Sequence, residues 1–381
     1  MVLFGADRFA EFENLFTGRV ALLTGPSGRT SGNVPTIDVM KQCCNLQLLL
    51  APEHGVRGDK AAGALFADEL DEGSGLPVRS LYTKDSKRLS RETLALFDTL
   101  VYDIADVGCR YYTFLTTLRY CIEDCAAAGK RLVVLDRPNP LGDRVEGGIV
   151  RPEVISFVGG YEMPVCYGLT CGELAEMMNR ELHCGCDLHI IPCAGLTRSM
   201  TFRDWGHCWV MPSMGIPRFE TALLYPGTCL IEGTNCSEGR GTGDPFGIIG
   251  APFIQAEAFC KAFNALGCPG LEATPVYFTP TASKHQGVLC GGIQLHILDE
   301  TVLEPVAMGV RLLDLLRRMY PKDFAFLPPV REDGKIFLSL LAGHRDFEKP
   351  DWDADALLAR YAEESARFRP RKAAYERYPK E

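Results

Sequence analysis

Along the first half of the chain, short apolar runs alternate with stretches of helical period. Residues 19–24 form an apolar run ended by Gly25-Pro26, and 46–51 form a second run stopped by Pro52. Similar runs at 76–82, 100–104 and 131–135 complete a set of five predicted buried strands. Between them, 36–44, 90–97 and 112–128 carry helical spacing, the last closed by Gly129. Near-continuous apolar strands alternating with helices predict a parallel sheet covered on both faces. Thr170 and Glu173 form a capping box that opens a helix to about 181, and a strand follows at 187–192. From 205 to 250 the chain is rich in Gly, Pro and Thr with little period, which predicts a long irregular stretch of the kind that carries function. Beyond it the pattern predicts a helix at 252–266, a strand at 291–298, and helices at 306–319 and 354–368. The expectation is an α/β protein: a Rossmann-like N-terminal domain with a mostly parallel sheet over 1–222, and a smaller α+β C-terminal domain over 223–381.

Composition changes this picture only by exclusion. A net charge of -9 argues against nucleic acid as the main partner, since phosphate binding needs a basic field. A few arginines in a cleft can still hold an anionic small ligand. No window approaches the ~18 apolar residues of a membrane span, and the first residues lack the pattern of a secretory leader. Sixteen cysteines, mostly inside apolar segments, read as reduced thiols in a reducing compartment, which points to the cytoplasm. His183-Cys184-Gly185-Cys186 with His189 lacks metal-ligand spacing, so no metal is expected.

In an open α/β sheet, ligands collect outside the carboxyl ends of the strands. There the second strand runs into Pro52-Glu53-His54-Gly55-Val56-Arg57, the fourth into Asp103 through Asp106 to Arg110-Tyr111-Tyr112, and the fifth into Asp136-Arg137-Pro138-Asn139. Carboxylates beside arginines and a histidine suit acid/base work on a polar bond of an anionic substrate. A glutamate between a proline and apolar strand residues can have its pKa raised by desolvation. The first turn, Thr24-Gly25-Pro26-Ser27-Gly28, does not match a dinucleotide fingerprint, and neither a P-loop lysine nor a serine-hydrolase elbow is found. Gly239-Arg240-Gly241-Thr242-Gly243 is an amide-rich loop that can cradle an anion or merely cross between domains.

These blocks resemble the NamZ-type exo-β-N-acetylmuramidase family. The resemblance rests on Pro52-Glu53-His54-Gly55, Asp106-Val107-Gly108, Arg110-Tyr111-Tyr112, Asp136-Arg137-Pro138-Asn139-Pro140, Tyr167-Gly168, Leu224-Tyr225-Pro226-Gly227, Glu232-Gly233-Thr234-Asn235 and Gly239-Arg240-Gly241-Thr242. It implies a cofactor-free, exo-acting glycoside hydrolase that releases N-acetylmuramic acid from non-reducing glycan ends, with Glu53 as the leading catalytic carboxylate. Asp106 or Asp136, with Asp103 behind them, are the expected second carboxylates. Arg57, Arg110 and Arg240 are candidates for the lactyl carboxylate; His54, Tyr111, Tyr112, Asn139, Tyr167 and Glu232 complete the expected sugar contacts. The rival readings are a non-catalytic muropeptide-binding protein and a nicotinamide-dependent oxidoreductase.

Overall fold

A computed structural model describes residues 1–60, 63–83, 86–329 and 334–381. In chain order the elements of the first half are β1 (Val20–Thr24), α1 (Thr36–Cys43), β2 (Leu46–Ala51), β3 (Glu69–Asp71), β4 (Leu76–Ser80), α2 (Arg91–Leu94), β5 (Thr99–Asp103), α3 (Phe114–Ala128), β6 (Arg131–Leu135), β7 (Val145–Glu146), β8 (Cys166–Tyr167), α4 (Cys171–Glu181) and β9 (Asp187–Ile191). The second half adds α5 (Phe219–Thr228), β10 (Ile248–Ala251), α6 (Ala256–Asn264), β11 (Leu271–Phe278), β12 (Cys290–Ile297), α7 (Pro305–Met319), α8 (Phe337–Ala342) and α9 (Ala354–Ala373).

The large sheet has the order β3-β4-β2-β1-β5-β6-β9, parallel except for the short edge strand β3. Alternate side chains of its central strands serve two cores. Ala21, Leu23, Leu48, Leu50, Leu100 and Tyr102 join the main core with α3 and α4. Val20, Leu22, Leu49, Ala51, Val101 and Val133 face α1 and the N-terminal segment. Two buried faces explain why these strands read as unbroken apolar runs. The chain leaves β1 toward β2 on one side and returns to β5 on the other, so the sheet's switch point lies between β1 and β5.

The second sheet is antiparallel, β10-β12-β11. The expected junction at 222/223 falls inside α5, and the main core runs without interruption from the first sheet to α7 and α9. α5 lies within the stretch expected to be irregular. Every residue from Thr221 to Thr228 is buried, so the helix has no polar stripe to give it a period, and Pro226 reads as a breaker. It crosses α7 glycine on glycine: a Cβ on Gly227 would stand 1.9 Å from the Pro305 carbonyl oxygen. β11 was also invisible in the sequence pattern. It carries Pro275, which an edge strand tolerates because only one side is laddered, here to β12. The helix expected at 90–97 is one turn, and the helix expected to end at 368 continues through Pro370 to Ala373.

Candidate active site

Glu53 stands just past the carboxyl end of β2. His54 and Gly55 follow it with φ of 76° and 77°, two successive left-handed residues that turn the chain sharply off the strand. Glycine adopts this conformation freely; His54 does so at a cost of about 1–3 kcal/mol, the kind of strain held at functional sites. The Glu53 carboxylate is fixed from two sides, Oε1 accepting from the Gly63 amide at 2.9 Å and Oε2 from the Thr113 hydroxyl at 2.7 Å. The Tyr82 hydroxyl also leans on it; burial, then the charge of Glu53, push that phenol well above its ordinary range. Lys87 stacks over the Tyr82 ring with Nζ 3.3 Å from its centroid.

Glu53 and His54 line a cleft of about 1220 Å³ whose other walls come from both halves of the chain. Tyr111, Tyr112 and Ser213 line it from the first half, and Glu232, Glu238, Arg240 and Lys284 from the second. Arg240 donates through Nε to Glu232 at 2.9 Å, with Nη2 2.8 Å from the same carboxylate and Glu238 behind at 3.5 Å. Burial alone would lower the Arg240 pKa, but Glu232 and then Glu238 outweigh it and keep the guanidinium charged. Glu238 is itself buried and paired with Lys284 at 2.9 Å. His54 is pulled below its usual pKa by burial, with the Glu53 charge opposing and the Arg240 charge adding to the fall. The cleft therefore holds an anchored carboxylate on one wall and a fixed cation on another.

The three loops leave the same edge of the parallel sheet, but several of the residues expected at a shared cleft lie elsewhere. Asp136 does not face the cleft. It is fully buried and accepts from the Thr170 hydroxyl at 2.7 Å, the Gly172 amide at 2.7 Å and the Tyr378 hydroxyl. Burial pushes it up to about 6. Asp103 is equally buried and forms a two-bond pair with Arg137 at 2.6 and 3.0 Å. Arg110, with no exposed surface, gives Nη1 to the carbonyls of Gly148 and Met163 at 2.7 and 2.9 Å and Nη2 to Leu341 at 2.7 Å. It ties loops together and reaches no ligand. Arg57 pairs with Asp71 at the outer edge of the sheet. Asn139 closes its own turn through the Leu141 amide and the Leu169 carbonyl. Tyr167 is buried and donates to Asp106.

Asp106 lines a separate, smaller cavity over β1 and β5. Burial pushes its carboxyl up to about 6, against the Tyr167 hydroxyl and the Gly108 and Val107 amides. Of the predicted residues the structure thus brings Glu53, His54, Tyr111, Tyr112, Glu232 and Arg240 together. Sequence reasoning missed Tyr82, Thr113, Ser213, Glu238 and Lys284. Tyr82, Thr113 and Glu238 each adjoin a motif that was singled out, at the end of a predicted strand, after Tyr112 and before Gly239. Lys284 carries no sequence signal.

Two family models cover the chain: the N-terminal domain of the exo-β-N-acetylmuramidase NamZ over residues 20–220 and its C-terminal domain over 223–378. The chain belongs to the NamZ family. It is 43% identical over 312 residues to the peptidoglycan β-N-acetylmuramidase NamZ of Bacillus subtilis strain 168, a match spanning 81% of this chain and 75% of that protein. Two DUF1343 family proteins of Bacteroides fragilis NCTC 9343 share the fold. One has a TM-score of 0.89 at 31% identity over 99% of both chains, the other 0.78 at 28% over 100% of both. Each NamZ segment supplies one wall of the cleft, Glu53 from the first and Arg240 from the second.

Proposed function

We propose that this chain is an exo-acting glycoside hydrolase that releases N-acetylmuramic acid from non-reducing ends of peptidoglycan fragments, with Glu53 giving the proton to the leaving oxygen. The observation that supports it is the shared cleft: a carboxylate pinned by the Gly63 amide and the Thr113 hydroxyl, with a charged guanidinium at Arg240 available for the lactyl carboxylate. At about 1220 Å³ the space exceeds the ~300–1,000 Å³ of ordinary small-molecule pockets, enough for a sugar and its leaving group. Tyr112 and His54 offer further polar contacts, and Tyr82 lies beside the carboxylate on the same wall. Glu232 and Glu238 are the other carboxylates of the cleft, each engaged with a cation, and are placed to steady positive charge that develops on the sugar. Sixteen free thiols fit a reducing compartment, which favours action on muropeptide sugars inside the cell.

Glu53→Gln tests the assignment. It keeps size and the bond from the Gly63 amide, its own NH2 donating to the Thr113 hydroxyl in place of accepting from it, but has no proton to transfer. General acid catalysis is worth about 10²–10⁴-fold, so turnover of a natural disaccharide should fall by that order. A para-nitrophenyl N-acetylmuraminide, whose leaving group needs less protonation, should suffer less. Equal losses on both would make Glu53 a nucleophile or base, and turnover within a few-fold of the parent would remove it from the chemistry.

A further inference from the structure

The small cavity that contains Asp106 adjoins the cleft, with Pro212 on its wall and Ser213 on the cleft's, and lies over the carboxyl ends of β1 and β5 at the switch point of the sheet, where open α/β sheets bind ligands. Its volume of about 60 Å³ corresponds to roughly four to six water-sized positions at ~10–15 Å³ each. That admits a molecule of about five or six heavy atoms and excludes a nucleotide or a whole sugar ring.

Its polar groups are left incomplete in a specific way. Asp106 is buried, and its Oδ2 takes the Gly108 amide at 2.8 Å and the Tyr167 hydroxyl. Its Oδ1 has no hydrogen-bond partner among the described residues, the nearby Val107 amide not reaching hydrogen-bond geometry. A buried carboxylate oxygen with no donor is unfavourable, so the cavity suits a ligand that brings a donor there. The Trp205 indole N–H, also on the wall, is buried with no acceptor among the described residues. Two guanidiniums complete the lining. Arg137 is held by Asp103 and by the Arg29 carbonyl through Nε and Nη2, and none of these bonds uses its Nη1. Arg29 spends Nη1 on the Asn33 carbonyl, with no acceptor on Nε or Nη2 among the described residues. Phe4, Trp205 and Trp209 give the wall its apolar faces, set between further polar residues that include Ser27, Ser31 and His207.

One acceptor awaiting a donor, two cations and an indole N–H awaiting an anion, and apolar faces on the same wall point to the ligand. We propose that this cavity binds a free three-carbon carboxylic acid bearing an amino or hydroxyl group on C2, its carboxylate on Arg29 and Arg137 and its C2 donor on Asp106. The methyl group lies against the indoles. A simple anion without a donor, such as acetate, leaves Asp106 unmatched, and a purely apolar guest leaves every polar group unmatched.

The site is testable without reference to turnover. Melting temperature and calorimetric titration are measured with D- and L-alanine and D- and L-lactate, with acetate and alaninamide as controls. At least one alanine or lactate is expected to raise the melting temperature by several degrees; alanine identifies the ammonium form of the donor and lactate the hydroxyl form. Acetate, lacking the C2 donor, and alaninamide, lacking the carboxylate, should each bind at least tenfold more weakly. Arg29→Ala keeps the backbone carbonyl that Arg137 uses, so it should fold normally, lose at least tenfold in ligand affinity and leave turnover in the cleft at the parent rate. The proposal is overturned if none of the four acids binds, if acetate binds as well as the best of them, or if Arg29→Ala binds undiminished.

Discussion

Replacing Arg110 by methionine separates a structural guanidinium from a substrate-binding one. Arg110 has no exposed surface, gives three hydrogen bonds to the carbonyls of Gly148, Met163 and Leu341, and meets no carboxylate. Burial lowers its pKa, as expected of a cation held only by peptide dipoles. Removing it orphans the Gly148 and Leu341 carbonyls and leaves Met163 only the Val150 amide at 3.4 Å, each lost partner being worth about 1–3 kcal/mol. Part of this is returned because the cost of burying the charge, several kcal/mol, disappears with it. The net loss should be about 3–5 kcal/mol. For a chain of 381 residues the unfolding entropy is about 0.8 kcal/mol/K, at ~2.1 cal/mol/K per residue. The melting temperature should therefore fall by about 4–6 °C in a calorimetric scan. Below that temperature the KM for a muramic glycoside should stay within about twofold, because Arg110 does not line the cleft. A tenfold rise in KM with an unchanged melting temperature would refute this reasoning and return Arg110 to the substrate.

Three further outcomes follow from the same geometry. The Asp106 carboxyl sits at about 6 in the folded protein against an ordinary 3.8, so the native state keeps its proton to higher pH than the unfolded chain. Its stabilising contribution is complete below about pH 3.8 and is lost as pH rises through about 6; Asp106→Asn should therefore gain roughly 2–3 kcal/mol on the parent between about pH 4 and 7.5, measured by urea unfolding. His54→Gly relieves a φ of 76° and should raise stability by roughly 1 kcal/mol while turnover falls about tenfold; a variant that is less stable would show that His54 is not strained. Gly227→Ala drives a methyl group into the Pro305 carbonyl oxygen and should cost about 3 kcal/mol or more, visible as a lower denaturant midpoint.

The strands of the first sheet were legible because burial on both faces leaves an unmistakable apolar run. α5 and β11 were not, the one because it is buried almost all round and the other because an edge position hides a proline. Glu53 stood out because it follows a proline at a strand end, which places a carboxylate on the ligand-binding edge whatever surrounds it. The same rule nominated Asp103 and Asp136, which turn inward, and Asp106, which lines the small cavity and not the cleft. A residue at a strand end can turn outward to a ligand or inward to close the sheet, and the choice depends on partners far away in sequence. Asp136 waits for Tyr378, 242 positions on, and Arg110 for Leu341, 231 positions on. Lys284 shows the converse, since only the folded chain brings it to Glu238.

The Tyr378 contact bears on the order in which the protein can be made. The hydroxyl that completes Asp136, and that also takes the Cys193 amide at 3.0 Å, belongs to the fourth residue from the end of the described chain. Beside it Arg377 gives its amide to Glu173, and the Pro379 carbonyl takes the Arg198 amide. The N-terminal sheet emerges from synthesis first and would normally fold first. Here its sixth strand ends in a carboxylate whose last donor is synthesised some 240 residues later. A nascent chain can assemble the sheet early but cannot complete the surroundings of Asp136 until Tyr378 has been made; until then the carboxylate has only the Arg137 and Gly172 amides and the Thr170 hydroxyl.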